Sequence, residues 1–148
     1  MRIHGIMAFA IVLAFFCNGP AGLSLAYANT SCINTHALYK YGESRDQSKV
    51  DQVLAALNSP DHHVRRIAIR ALGKIGHKKS ITPLIQVLTS KDENPMVRSL
   101  AAWALGAMNA GQALDALTLC LDTEPLISLS ARKAISKIAG HYTTLANL

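Results

Sequence analysis

Residues 64–76 read VRRIAIRALGKIG, and residues 97–109 read VRSLAAWALGAMN. Laid together, Val64 meets Val97, Arg65 meets Arg98, Ala68 meets Ala101, and Ala71, Leu72 and Gly73 meet Ala104, Leu105 and Gly106, a period of 33 residues. A worn third copy, ISLSARKAISKIAG at 127–140, is offset by 30 and keeps Ala131, Ala134, Ile135 and Ile138. Self-similarity at such a period marks stacked repeats, because each unit is too small to bury its apolar face alone.

Within the first copy the apolar residues fall at Val64, Ile67, Ala68, Ala71, Leu72 and Ile75, one face of a 3.6-residue helix. Second segments also recur: VDQVLAAL from Val50, ITPLIQVL from Ile81 and LDALTLCL from Leu114. Each repeat is therefore predicted to be a helical hairpin. Helices are expected near 48–58, 60–75, 81–90, 95–108, 113–122 and 126–139, after a stub helix at 33–41. Ser59 and Asn94 suit N-caps with Pro60 and Pro95 at the first helical position, and Gly76 and Asn109 suit left-handed C-caps. Ser48 with Asp51 resembles a capping box. Gly73 and Gly106 lie inside helices, where glycine is costly, so close approach of a partner helix is their expected use. In the tail HYTTLANL, Leu145 and Leu148 are spaced like Ile81 and Leu84 and suggest a vestigial second helix.

The string V-R-x-x-A-x-x-A-L-G-x-I-G at 64–76, nearly repeated at 97–109, resembles the short HEAT-like repeats first associated with phycobilisome lyases. The resemblance covers about Val50 to Gly140. It implies an all-α fold: a right-handed α-solenoid of about three stacked helical hairpins. Where that family usually carries an acid between the two alanines of the first helix, this chain has Arg70, Trp103 and Lys133. Bilin-lyase-like activity, or the iron chemistry of the HEAT-like deoxyhypusine hydroxylases, is what the resemblance implies on the enzymatic side. The hydroxylases use His-Glu pairs, and none of Glu43, Glu93 and Glu124 adjoins a histidine here. No cofactor is expected.

At 148 residues there is room for one domain, and a composition 50% hydrophobic but only 5% aromatic favours helices. Arg2 precedes an uncharged apolar run from Ile6 to Phe16, then Gly19, Pro20 and an A-x-A site at Ala26, Tyr27 and Ala28. Residues 1–28 thus read as a signal peptide cleaved after Ala28, followed by an N-terminal segment (29–47), the repeat domain (48–140) and a tail (141–148). The expected location is periplasmic or secreted. The alternative is an uncleaved membrane anchor, since residues 6–28 hold 23 uncharged positions. Loss of Arg2 with the leader takes the net charge from +6 to +5. An exported protein rarely meets nucleic acid, so this charge points to an acidic protein partner and leaves a membrane surface open.

His62, Arg66, Arg70, Lys74 and Lys78 step by four along one helix, with no acid at that spacing to compensate them. Equivalent positions in stacked repeats lie roughly 8–10 Å apart. Arg70, Trp103 and Lys133 should therefore form a row, with the indole either a contact anchor or stacked on Arg70 as a surface cation-π pair. Arg66, Arg70, Lys74, Trp103, Lys133 and Lys137 make up the candidate partner-binding patch. The second helices offer Gln52, Thr82, Gln86, Asp115 and Thr118 on their outward side. Arg65 and Arg98 are expected to tie repeats together through loop acids such as Asp61 or Asp92. Cys120 reads as a partly buried thiol too distant from Cys32 for a ready disulfide, with pairing of Cys32 between molecules, or with Cys120 if its segment folds back, as the alternatives; Cys32 with His36 reads as too few ligands for a metal site. The favoured reading is a non-catalytic binding scaffold. A HEAT-like enzyme and a structural subunit of an envelope assembly are the alternatives.

Overall fold

The repeated segments fold into helices whose apolar stripes turn inward. The computed structural model describes residues 34–146, with side chains through residue 141. The signal peptide, its cleavage after Ala28, the anchor alternative and Cys32 lie outside the described residues. First helices α1 (Thr35–Ser44), α3 (His62–Ile75), α5 (Pro95–Ala107) and α7 (Pro125–Ala146) alternate with second helices α2 (Val50–Ala55), α4 (Ile81–Thr89) and α6 (Leu114–Leu119). A single 3₁₀ turn leads into each second helix, at Gln47–Lys49, Lys78–Ser80 and Gly111–Ala113. Among the described residues there is no strand, and no helix is long and apolar enough to cross a membrane.

The first helices lie side by side, α1 on α3, α3 on α5 and α5 on α7. Each second helix packs on the first helix that follows it, so the hairpins are α2 with α3, α4 with α5 and α6 with α7. Ile69, Leu72, Leu84, Leu88, Leu105, Leu117, Ile127 and Ile138 are fully buried between these layers. Each such side chain contributes about 1.5–3 kcal/mol through its removal from water.

What lets the first helices approach is a ladder of glycine against alanine. A β-carbon on Gly42 would stand 2.8 Å from the Ala71 Cα, one on Gly73 2.9 Å from the Ala104 Cβ, and one on Gly106 2.7 Å from the Ala134 Cα. Only hydrogen fits at these points. Gly42 sits on α1, so this helix is a degenerate copy of the repeat, and it runs on to Ser44, past the end expected at Tyr41.

Several boundaries differ from expectation for local reasons. Asn94 caps α5 with Pro95 next, and Gly76 takes the left-handed conformation (φ 74°), as does Asn109 (φ 51°). At α3, however, the cap is Asp61, whose carboxylate accepts from the His63 N–H at 2.8 Å, while Ser59 accepts from the Asp61 N–H. A charged oxygen at a helix start outcompetes a hydroxyl two residues earlier. Ser48 makes no capping box: Asp46 accepts from both its N–H and its hydroxyl, and Asp51 pairs with Lys79 at 3.5 Å. Among the described residues the tail forms no separate second helix, because α7 runs unbroken through Gly140 to Ala146. One helical glycine costs only about 1 kcal/mol, which so long a helix absorbs.

Candidate functional site

The predicted tie between repeats exists, with a different acid. Arg65 grips Glu93 through two bonds, Nε to Oε2 at 2.7 Å and Nη2 to Oε1 at 2.6 Å, and donates Nη1 to the Ser59 and Pro60 carbonyls. Asp61 instead caps α3. Burial pushes the Glu93 carboxyl up, but the Arg65 guanidinium and the Asn94 N–H outweigh it and hold it below the usual carboxylate value. Arg98, buried, donates Nε to the Leu88 carbonyl, and at the matching position of α7 Ser128 donates its hydroxyl to the Leu121 carbonyl. The Arg65–Glu93 pair joins consecutive hairpins, whereas the Arg98 and Ser128 bonds each fasten the two helices of one hairpin, and among the described residues Arg98 pairs with no loop acid.

Trp103, Arg70 and Lys133 occupy equivalent positions on neighbouring first helices and all reach solvent, Trp103 being 42% exposed. The ladder adds a fourth member that the sequence reading missed: Tyr39 of α1, 51% exposed. Its row is aromatic, cation, aromatic, cation. The cation-π contacts among the described residues are Lys74 over Tyr39, at 5.6 Å, and Lys49 over Tyr41, at 6.0 Å. Trp103 makes none of these; instead its Cζ3 lies 2.9 Å from where a Gly73 β-carbon would stand.

The six candidate residues are shared among adjoining clefts, the largest of them, of about 500 Å³, lined by Lys74, Trp103 and Lys137 together. Trp103, Lys133 and Lys137 line one cleft of about 230 Å³ between α5 and α7, over Gly106, Ala107 and Ala134. Arg66 and Arg70 line another of about 270 Å³ with Met96, Leu100 and Leu126. Met96, Leu126 and Leu129 are exposed apolar residues of the same face that the sequence reading did not single out. Lys74 is drawn aside to Glu43 of α1. The bonds from Lys74 and Tyr39 hold the Glu43 carboxyl below its usual value. The acid missing from the helix's own sequence thus comes from its neighbour, and Lys74 is the most neutralised of the stripe.

The second-helix side carries a groove of about 610 Å³ lined by Asp51, Leu54, Leu57, Pro83, Gln86 and Val87 among others. Gln52, Thr82, Gln86, Asp115 and Thr118 are exposed there, as expected. Its acids are engaged, Asp51 with Lys79 and Glu93 with Arg65. Cys120 is buried and free, and burial pushes its thiol up against a smaller opposing pull from Arg98.

Residues 50–136 match HEAT repeats. The phycocyanin operon protein Z of Pseudanabaena tenuis, described as uncharacterized, is 32% identical over 94 residues, covering 64% of this chain and 41% of that protein. A deoxyhypusine hydroxylase of Neurospora crassa is 30% identical over 108 residues, 73% of this chain and 33% of the enzyme. The phycocyanobilin lyase subunit alpha of a Picosynechococcus species is 38% identical over 95 residues, 58% and 35% respectively. The chain spans about a third to two fifths of the length of these relatives. The donor set among the described residues does not fit iron of the kind the hydroxylase resemblance implies. Among the described residues no three His, Cys, Asp or Glu side chains gather closely enough to hold a metal ion. Glu93 and Glu43 are committed to Arg65 and Lys74.

Proposed function

The chain belongs to the HEAT repeat family, and from that premise we propose that it is an exported, non-catalytic scaffold, a right-handed α-solenoid that docks an acidic protein partner on its first-helix face. Repeat proteins of this kind work by presenting extended surfaces assembled from equivalent positions. The observation that carries the reading is Trp103: large, 42% exposed, held against Gly73 and set between Arg70 and Lys133. An exposed aromatic side chain flanked by cations has the character of an interface hot spot. Met96, Leu126 and Leu129 extend the apolar part of the same face.

The test is photo-crosslinking from position 103 in cells that export the protein under its own leader. One discrete protein adduct, lost when Arg70 and Lys133 are both changed to Glu, is the expected result. No adduct from 103 but one from Gln86 would transfer binding to the second-helix groove and end this reading.

A second reading, an enzyme of the bilin-lyase-like or hydroxylase-like kind, is favoured by the names of two relatives. It requires bound bilin or stoichiometric metal in the purified protein. A structural subunit of an envelope assembly would instead elute as a stable complex and never as a monomer.

A further inference from the structure

We propose that the cleft between α5 and α7 takes an acidic peptide segment, with one apolar side chain of that segment seated beside Trp103 and a neighbouring carboxylate held by Lys133 and Lys137. This rests on the docking reading above and names the chemistry of the partner. Size argues first. At about 230 Å³ the cleft is smaller than the ~300–1,000 Å³ typical of small-molecule and cofactor sites, and it suits a single side chain.

The floor explains why the space is there. A β-carbon on Gly106 would stand 2.7 Å from the Ala134 Cα, so the two helices pack closely there, and the small residues Gly106, Ala107 and Ala134 line the cleft. Trp103 forms one wall, with its Cζ3 lying over Gly73 of α3. An anchor entering the cleft therefore meets a preformed apolar wall and loses little to reorganisation.

Charge selects the segment. From Pro125 to Ala146 α7 contains no acid, yet it carries Arg132, Lys133 and Lys137. The ion pairs Arg65–Glu93, Lys74–Glu43 and Lys79–Asp51 do not involve Arg132, Lys133 or Lys137. Lys133 and Lys137 stand one turn apart, where like charges repel. Both also lie well inside the helix, away from the C-terminal carbonyls that would offset them. Ser130 at the rim spends its hydroxyl on the Leu126 carbonyl, which leaves the lysines as the donors for an incoming carboxylate. A lipid surface offers such a cleft no side chain to fill it; a peptide does.

Trp103 is the sole tryptophan of the chain and reports directly. Full-length protein is titrated with a capped peptide carrying one phenylalanine between glutamates, and tryptophan emission is followed. A saturable blue shift is expected, weakened at least tenfold by joint Lys133→Glu and Lys137→Glu and retained by the joint Arg replacements, which control for folding. No shift would overturn the proposal. So would an equal shift with a lysine peptide of the same apolar content, with inorganic phosphate, or with anionic vesicles when the acidic peptide gives none. Crosslinking from position 103 that survives both Lys→Glu changes would leave the docking face standing and end this proposal alone; absence of any crosslink would end both.

Discussion

The ring of Trp103 occupies the place that a side chain on Gly73 would need: a β-carbon there would lie 2.9 Å from Cζ3 and 2.9 Å from the Ala104 β-carbon. Gly73 thus serves packing and the candidate site together. Gly73→Ala must push α3 from α5 and turn the indole, costing about 1–3 kcal/mol of stability, in the range of overpacked cores. The tryptophan emission should move at the same time. Gly140→Ala is the control, since a β-carbon there meets nothing within 4 Å. It should stabilise by up to about 1 kcal/mol. Urea unfolding of both variants checks the pair, and equal effects would contradict the ladder.

The Arg65–Glu93 tie makes stability depend on pH. Because the folded Glu93 carboxyl is held below its ordinary value, the unfolded chain takes up the proton first as pH falls. The contribution is complete above the ordinary carboxylate value and is lost as pH drops through the lower folded value. Glu93→Gln should flatten this part of the curve, measured as the urea midpoint against pH. Arg65→Met should cost about 2–4 kcal/mol at neutral pH, because it strands a partly buried carboxylate. A pH profile identical to wild type in Glu93→Gln would show that the tie adds nothing.

Asp61→Ala removes the oxygen that receives the His63 N–H and should cost about 1 kcal/mol, as lost N-caps do. Ser48→Ala should cost less, because Asp46 still accepts from the N–H of residue 48. Thermal melts of the two variants compare them, and a larger loss at 48 would restore the capping-box reading.

These differences mark where sequence pattern carries information and where it does not. Asn94 with Pro95 was legible because cap and proline are adjacent and unambiguous. Ser59 with Pro60 had the same look, but Asp61 stood one residue further with a stronger acceptor, and propensity does not rank two caps that compete. The hairpins were legible from periodicity. The α1 copy was not, since it keeps only Ala37 and Gly42 of the motif, with Lys40 and Tyr41 at the places of Ala71 and Leu72; Gly42 was the usable signal, and it would have delivered Tyr39 to the row. The stripe of cations was visible, but its neutralisation at Lys74 depends on Glu43, a residue from another helix that no local spacing reveals.

Cys120 should resist alkylation. The thiol is buried and raised above its ordinary pKa by that burial, so little thiolate exists at neutral pH and little of it is reachable. Iodoacetamide treatment with peptide mapping should label position 120 at the rate of global unfolding. Labelling as fast as a free thiol in the folded protein would mean that α6 opens locally.

Ser80 offers a stabilising change. Its side chain is fully buried at the start of α4, and its hydroxyl has no hydrogen-bond partner among the described residues. The next repeat places Ala113 at the same point, also fully buried, so the packing there already accommodates a methyl group. A buried hydroxyl that has left water without a new partner carries its full desolvation cost, and removing it recovers that cost while losing little volume. Ser80→Ala should therefore raise stability by about 1 kcal/mol, read as a higher urea midpoint with an unchanged slope. A lower midpoint would mean that a bound water completes the hydroxyl and that the repeat uses Ser80 as a polar joint between the 3₁₀ turn and α4.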